Sequence, residues 1–488
     1  MTPIATGRAL AGWAALGAAM AGAGCSLAPA YKTPHAANPA AFKEATAMRP
    51  EEAGSWKQAQ PSEGAERGEW WRAFGDARLN DYEAQALAAN QELKAAAARV
   101  QQARALLRVA GADRFPSVGL GFGPTREQLS PSSLGVIPGQ TLEPQTVWRA
   151  QAGIDYEVDL FGRVTSNVEA AKADRDRSTA LFRSVQLTLQ ADVAQNYFNL
   201  RELDAEVEVF DRTVELRRDA LRFVSNRHNA GDVSDLDVAQ AKAELATAQS
   251  DAMTVVRQRA AAEHGLAVLL GKAPAEIAVD TNPLMPVDMT IPPGLPSALL
   301  ERRPDITAAE RAMAAENARI GIARAAYFPS LELTAAGGFE SATLGSLLRR
   351  SSRMFLLGPL YGTSLNVPLI DGGRRAGNLA NAHARYDESV ALYRQRVLVA
   401  FQEVEDNLST LRILKDQLQV QGDAVKAATR SSDLSRIQYK DGSVAYIEVI
   451  DSERTLLQAR RNAVQLEGTR AISTVNLIRA LGGGWEGT

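Results

Sequence analysis

The chain has 488 residues, 23% of them charged, and a formal net charge of −3 at pH 7. This balance argues against nucleic acid as a partner, because proteins that bind it usually carry a basic surface. Four histidines and one cysteine leave little material for a metal site or a cysteine nucleophile, and no catalytic set stands out, so we predict neither an enzyme nor a bound cofactor.

The first 24 residues are predicted to be a signal peptide. Arg8 supplies a positive start, and the apolar stretch after it is too short to span a membrane and ends in small residues,. The single cysteine, Cys25, follows directly and resembles the acylated cysteine of a bacterial lipobox, although Gly22 stands where an aliphatic residue is usual. We expect a covalent lipid on Cys25, and Ser26 after it favours the outer membrane. The alternative is ordinary cleavage that leaves a free thiol.

An irregular, Pro-rich arm (25–75) precedes the first repeat, which we assign to residues 76–272. The repeat opens with an Ala-rich helix that Pro116 stops, because proline has no backbone N–H to donate,. Strands are predicted at about 117–123 and 147–160, with a turn-rich loop between them.

The strand at 147–160 has the clearest pattern in the sequence, since apolar residues alternate with charged or small ones,. At about 3.3 Å per residue it would extend roughly 40 Å, enough to cross a bilayer with tilt. One apolar and one charged face are typical of a barrel strand that lines water. The apolar face comprises Trp148, Ala150, Ala152, Ile154, Tyr156, Val158 and Leu160.

A helix of about 65 residues is predicted from Gly162 to near Asn229, roughly 100 Å long at 1.5 Å per residue. A strict seven-residue apolar repeat along it indicates left-handed coiled-coil packing. Asn196, Arg217 and Lys415 interrupt the seams of the two copies, and we interpret them as register-setting or solvent-exposed residues. The seam of the first copy comprises Val193, Leu200, Val207, Val214 and Leu221.

The same order of elements then recurs. Gly231 returns as Gly442, and Leu270 returns as Leu481, each 211 residues later,. A Pro-rich linker (273–297) therefore separates the first repeat from a second one at 298–482, which is followed by a short tail (483–488). The second repeat is predicted to carry strands at about 330–339 and 360–370, a long coiled-coil helix and a return helix.

Four strands per chain cannot close a barrel. Open sheet edges are not tolerated in lipid, and spanning barrels need at least about eight strands. We therefore predict a mostly α fold with a membrane β-barrel portion, built from a duplicated helix–strand–strand–helix unit and completed by further copies of the chain.

Four features together resemble one family: the Trp-Trp-Arg-Ala-Phe-Gly-Asp stretch at 70–76, the Arg-Arg-Pro-Asp-Ile stretch at 302–306, both Phe-Pro-Ser junctions, and the two glycine turns. They are similar to the outer membrane factor family, the TolC/NodT-like outer-membrane lipoproteins of tripartite efflux systems. The resemblance implies a homotrimer with a 12-strand outer-membrane β-barrel joined to a 12-helix periplasmic α-barrel.

The resemblance also implies partners and a function. The partners would be a periplasmic adaptor (membrane fusion) protein, an inner-membrane pump of the resistance-nodulation-division (RND) type, and outer membrane lipid. The function would be an exit duct that passes drugs or other small toxic compounds to the outside. The substrate itself is not expected to be readable from the channel, since specificity belongs to the pump.

In this family the periplasmic entrance lies at the two glycine turns. The resemblance places Asp451 and Ile447 in the constriction, with Glu448 beside them, and threefold symmetry would turn each acid into a ring. It also matches Asp237 and Tyr439 to contacts that hold the entrance closed. The alternative is that these acids are surface residues near helix starts, where negative charge is favourable.

Two neighbours of these residues are also informative. A basic partner found in some family members would fall near Val444, so that ionic link is expected to be absent. His228, close to the first turn, is expected to be solvated and not to be a metal ligand.

Two other functions stay open. The same duct could export protein or peptide with a type I secretion partner, and a neighbouring pump gene would decide between the two. A periplasmic coiled-coil adaptor is more distant, because it leaves the strand pairs unexplained.

Overall fold

A computed structural model of the chain describes residues 27–34, 39, 42–44, 68–130, 143–286, 302–357 and 362–483. The predicted signal peptide, Cys25 and most of the predicted arm lie outside these residues, as does much of the linker. Within the described ranges, none of the helices combines the length and apolar character of a membrane span.

The helices occur as two matching sets. The two longest have 67 residues each and the two return helices have 35 each, so the duplication seen in the sequence is also a duplication of structure. In chain order the helices are α1 (Ala77–Ala89), α2 (Gln91–Ala112), α3 (Arg163–Asn229), α4 (Asp235–Leu269), α5 (Pro304–Ala325), α6 (Arg374–Lys440) and α7 (Tyr446–Ala480).

Five strands form one antiparallel sheet, in the order β1-β2-β3-β4 with β5 also paired to β3. The pairing of β2 with β3 joins the two repeats within one sheet. Together with the helices, this sheet confirms the predicted fold class of a mostly helical chain with a strand portion. The strands are β1 (Ser117–Glu127), β2 (Gln145–Val158), β3 (Ser330–Ser341), β4 (Arg353–Leu357) and β5 (Thr363–Asn366).

The predicted fourth strand at 360–370 is wrong in its bounds. Two short strands, β4 and β5, lie on either side of residues 358–361, and no strand continues beyond Asn366. The cause is a side chain: Arg375 donates to the carbonyls of Pro368 (2.6 Å) and Leu369 (3.3 Å) and pairs with Asp371. These carbonyls therefore bind a guanidinium and not a neighbouring strand.

The chain divides into two compact units, each drawing on both repeats. The first unit contains Met1–Pro34, Val100–Ser178 and Ala309–Tyr393, and therefore the sheet. The second unit contains His35–Arg99, Thr179–Ala308 and Arg394–Thr488, and therefore both glycine turns.

The sheet of the first unit has one apolar and one charged face. On the apolar face the register aligns Leu120, Ala152, Gly337 and Phe355 in one row across β1 to β4. Leu120 is 89% exposed and Phe355 is 80% exposed in the single chain. This apolar surface is the predicted outer face, and nothing in the described part of the chain covers these two side chains.

Charge concentrates on the opposite face. Arg149 of β2 pairs with Glu127 of β1 at 2.7 Å and with Glu340 of β3 at 2.9 Å, so one guanidinium links three strands. These three side chains, together with Asp155 and Glu157, alternate with the apolar row, as the sequence pattern predicted.

In the second unit, a buried ionic cluster holds the segment that follows α4. Asp204 is fully buried and pairs with Arg201 (3.1 Å) and Arg259 (2.6 Å). Its carboxylate also accepts the backbone N–H of Asn282, and Arg201 donates to the carbonyls of Asp280 and Asn282. The start of the inter-repeat linker is thus bound to α3 and α4 by charge-assisted hydrogen bonds.

The Arg-Arg-Pro-Asp stretch has a similar structural role at the start of α5. Arg303 pairs with Asp305 (2.8 Å) and with Glu403 of α6 (2.5 Å). It also donates to the carbonyl of Ala480, near the end of α7. One buried guanidinium therefore joins three helices of the second unit.

Glu83 of α1 is an unusual acid in the second unit. It is fully buried, neither carboxylate oxygen has a hydrogen-bond partner, and burial raises the pKa to about 9. The folded chain therefore holds this group protonated at neutral pH, whereas the unfolded chain does not. Stability from this group is greatest below the unfolded pKa and falls as pH rises towards the folded pKa.

We expect Glu83→Gln to remove the part of the pH dependence that Glu83 supplies. Between pH 5.5 and 7.5 the wild type should lose roughly 2–3 kcal/mol more unfolding free energy than the variant. The measurement is the midpoint of thermal unfolding at both pH values. The exposed Glu92 on α2 supplies the control, since Glu92→Gln should keep the wild-type slope. Equal slopes in all three proteins would contradict an uncharged Glu83.

Candidate functional site

The two glycine turns end the long helices in the same way. Gly231 (φ 84°) follows α3 and Gly442 (φ 74°) follows α6, each in the left-handed conformation that glycine adopts without strain,. Asp232 N–H donates to Arg227 O, and Ser443 N–H donates to Gln438 O, which is the six-residue bond of a Schellman motif,. Each turn sends the chain back along a 35-residue helix.

The two helical hairpins, α3–α4 and α6–α7, share an apolar core next to these turns. Tyr439 stacks against Tyr446 with ring centroids 5.2 Å apart, and Phe223 of α3 lies 6.2 Å from Tyr439. The core therefore packs the end of α6 against the other three helices. Its buried members are Val224, Val238, Ala241, Tyr439, Tyr446, Val449 and Ile450.

The three residues predicted for the constriction lie on the first two turns of α7. Ile447, Glu448 and Asp451 are all exposed and none belongs to the shared core. The side chain of Asp451 is 65% exposed, and its nearest cation is Arg454, with Nη1 3.9 Å from Oδ1. Ile447 and Asp451 are four residues apart on one helix, so they share a face. Their assignment to a constriction stays a prediction.

The predicted hydrogen bond between Tyr439 and Asp237 is not formed within the chain. The Asp237 carboxylate accepts Ser234 N–H (3.2 Å) and the Ser234 hydroxyl (3.1 Å), and the Asp237 N–H donates to Ser234 Oγ, which makes a capping box at the start of α4,. The Tyr439 hydroxyl is buried and has no hydrogen-bond partner. Burial, and then the charge of Asp237, raise the pKa of Tyr439, so the two residues still interact electrostatically.

One ionic tie between the hairpins was not predicted from the sequence. Glu244 of α4 pairs with Arg217 of α3 (3.1 Å) and also with Arg454 of α7. Arg217 is 5% exposed, and its Nη1 donates to the backbone carbonyl of Glu244 at 2.7 Å. One carboxylate thus links the first hairpin to the second. We call Arg217, Glu244 and Arg454 the Glu244 tie.

This geometry corrects the interpretation of Arg217 as an exposed interruption of the seam. Its guanidinium turns into the hairpin and finds a buried counter-charge. The basic residue on an apolar seam was the only signal in the sequence for the buried pair of Arg217 with Glu244. The link from Glu244 to Arg454 gave no signal, because these two residues lie 210 residues apart.

Two further contacts tie α6 to its neighbours near the turns. Arg436 pairs with Glu453 of α7 at 2.7 Å. Arg227 of α3 donates to the carbonyl of Tyr439 (3.2 Å) and lies over the Tyr439 ring, 5.3 Å from its centroid. A cavity of about 370 Å³ lies between these side chains and is lined by Phe223, Tyr439, Tyr446 and Lys440, among others.

His228 is exposed, and its Nδ1 lies 3.0 Å from the carbonyl of Val233. In the described part of the chain, no group of three or more His, Cys, Asp or Glu residues could hold a metal ion. The chemistry of the turns is therefore that of ion pairs, capping and apolar packing.

Known proteins match the chain along nearly all of its length. The family model described as "Outer membrane efflux protein" matches residues 84–272 and 295–483. The cation efflux system protein CusC of Escherichia coli O6:H1 is 33% identical over 472 residues, which cover 96% of this chain and 97% of CusC. The toluene efflux pump outer membrane protein TtgF of Pseudomonas putida is 34% identical over 464 residues, which cover 95% of each protein.

A solved structure extends the similarity to the fold. The outer-membrane channel OprN gives a TM-score of 0.82 at 28% identity, over 94% of this chain and 100% of OprN. The two segments that match the family model correspond to the two structural repeats, each with its long helix, return helix and strands. The chain therefore belongs to the outer membrane efflux protein family, and it is an outer membrane efflux channel.

Proposed function

We propose that three copies of this chain form the exit duct of a tripartite system, together with a periplasmic adaptor and an inner-membrane pump of the RND type. The duct passes small toxic compounds, including drugs, to the outside. The observation that carries the proposal is the sheet: β1 pairs only with β2, and β4 and β5 pair only with β3, among the described strands. Two free edges and an exposed apolar face require further strands and lipid.

Three copies would contribute 12 strands if β4 and β5 count as one broken strand, which lies within the range of known spanning barrels. The charged face, with Arg149, Glu127 and Glu340, would then line the lumen. Trimer mass in detergent tests this assembly. A stable monomer that retains its strand signal in circular dichroism would contradict it.

The long helices support the periplasmic part of the proposal. At 1.5 Å per residue, α3 and α6 each extend about 100 Å,. That length suits a conduit that reaches a partner well below the membrane, and the cavity beside Tyr439 and Tyr446 offers an amphipathic surface at the turns. The names of CusC and TtgF favour efflux over type I secretion as the partner system. If deletion of the gene left susceptibility to drugs and metals unchanged but abolished the secretion of a protein, type I secretion would be favoured over efflux.

Acylation of Cys25 is part of the same proposal. The thiol would carry a diacylglycerol and the new amino terminus a third acyl chain such as palmitate. Mass spectrometry of the mature N-terminus tests it, and a mature chain that begins elsewhere would contradict it.

We further propose that Asp451 forms a ring of three acids at the periplasmic mouth, with Ile447 as an apolar collar and Glu448 beside it. A ring of negative charges in a narrow pore attracts cations and excludes anions. Asp451→Ala should therefore lower the cation/anion permeability ratio severalfold in planar bilayers. Asp451→Glu retains the charge and is the control. An unchanged ratio in the alanine variant would contradict a lumenal Asp451.

A further inference from the structure

Residues 27–33, within the arm that precedes the first repeat, lie along α5 in a fixed register. Arg324 donates to Leu27 O (3.4 Å), Asn317 donates to Pro29 O (2.8 Å), and the Tyr31 hydroxyl donates to Glu310 Oε1 (2.6 Å). The partner number falls as the number along the segment rises, so the segment runs antiparallel to α5. All of these contacts lie within the first unit.

Gly321 of α5 has the space that this close approach requires. A Cβ at this position would lie 2.7 Å from the Cβ of Ala28 and 2.6 Å from Ser166 Oγ. Gly377 of α6, another helical glycine of the same unit, meets nothing within 4 Å. The missing side chain at 321 therefore makes room for Ala28 of residues 27–33 and also for Ser166 of α3.

Tyr31 fixes residues 27–33 to α5 through a hydrogen bond to a buried carboxylate. Glu310 is 2% exposed, and its carboxylate receives the Tyr31 hydroxyl on one oxygen and lies 3.4 Å from Arg311 on the other. Burial, then the hydrogen bond to Glu310, raise the pKa of Tyr31, so the hydroxyl stays a donor at physiological pH. Removing the segment would leave a buried carboxylate without its short hydrogen bond, which is costly.

We propose that Glu310, Asn317, Gly321 and Arg324 form a seat, the α5 seat, that registers the N-terminal segment and so positions the lipid anchor. Its occupant is residues 27–33 of the same chain. This role rests on the proposed acylation of Cys25.

The position of Leu27 on the α5 seat limits where the lipid anchor can lie. Cys25 precedes Leu27 by two residues, a separation that extended chain spans in about 7 Å. Leu27 contacts Arg324, one residue before α5 ends at Ala325, and β3 begins at Ser330. A lipid on Cys25 would therefore be kept within about 7 Å of Leu27 along the chain, close to the helix-to-strand junction where the apolar face of the sheet starts.

The seat is tested with Gly321→Leu, which should expel the segment. Trypsin cleavage after Lys32 in the purified full chain, followed by mass spectrometry, should be at least tenfold faster than in the wild type. Gly377→Leu is the matched control and should cleave at the wild-type rate. Tyr31→Phe retains the ring but loses the donor, and should be severalfold faster. Equal rates in Gly321→Leu and Gly377→Leu would overturn the seat.

A second test uses a double-cysteine variant and does not depend on whether the leucine variant folds. In a Cys25→Ser background, Ala28→Cys with Gly321→Cys should form a disulfide that retains the N-terminal fragment after trypsin, because the two Cβ positions are adjacent. Failure to cross-link in the folded trimer would also overturn the seat. An unmodified Cys25 in the wild type, with Lys32 still protected, would overturn the acylation and its positioning while the seat itself stands.

Discussion

Asp204→Ala is expected to destabilise the chain more than any other single change described above. The substitution leaves Arg201, 2% exposed, with no carboxylate partner, leaves Arg259 with Glu263 as its carboxylate partner, and frees the backbone N–H of Asn282. Removing one partner of a buried ion pair costs about 3–5 kcal/mol. The linker segment after α4 would also lose the hydrogen bond from its Asn282 N–H and would then be held to α3 through Arg201.

The measurement is the midpoint of thermal unfolding of the helical signal, together with the yield of folded protein. Asp280→Ala is the control, since Asp280 lies in the same segment but is 82% exposed and pairs only at the surface with Arg78,. It should change the midpoint by little. If Asp204→Ala and Asp280→Ala behave alike, the buried cluster does not stabilise the fold.

Glu244→Ala is expected to open the periplasmic end of the channel at rest. The change removes the counter-charge of the buried Arg217 and the link to Arg454. The pair with Arg217 lies inside the first hairpin, so its loss destabilises that hairpin,. Only the link to Arg454 joins the two hairpins, and Arg454 is more than half exposed, so its loss should shift the equilibrium between joined and separated hairpins severalfold,.

Resting conductance in planar bilayers should therefore rise severalfold. Tyr439→Phe is the control at the same end of the hairpins, because its hydroxyl has no partner within the chain and its loss should leave conductance unchanged. A rise in Tyr439→Phe would restore a closing role for that hydroxyl between subunits. A lower unfolding midpoint in Glu244→Ala without any rise in conductance would limit the Glu244 tie to stability.

The sequence was most informative where a physical period extends over many residues. The heptads on either side of Leu200 predicted a helix of about 65 residues, and the structure has 67 in α3 and the same number in α6 of the second repeat. The alternation around Ile154 likewise predicted a strand and its apolar face. Such periodic patterns depend only on neighbouring residues, and every further helical turn or pair of strand residues repeats the same evidence.

Partner choice was not readable in the same way. Arg217 would interrupt the heptad whether its side chain were exposed or buried. Only the fold brings Glu244 close enough to pair with it, and Arg454 close enough to pair with Glu244. Similarly, the sequence matched Asp237 to a contact that closes the entrance, but in the structure its carboxylate forms the capping box with Ser234. The broken fourth strand depends on Arg375, which lies nine residues beyond the end of β5 and is part of a helix.

The return helices begin differently in the two repeats. Ser234 and Asp237 cap α4, whereas Ala445 precedes α7 without any side-chain cap. A missing cap of this kind is worth about 1 kcal/mol, which is roughly a fivefold difference in the population of a frayed first turn. Duplication has therefore left two hairpins of equal length and unequal stiffness. The first turn of α7, with Ile447 and Glu448, should exchange its amide hydrogens before that of α4, so that the less rigid copy is the one that presents Asp451.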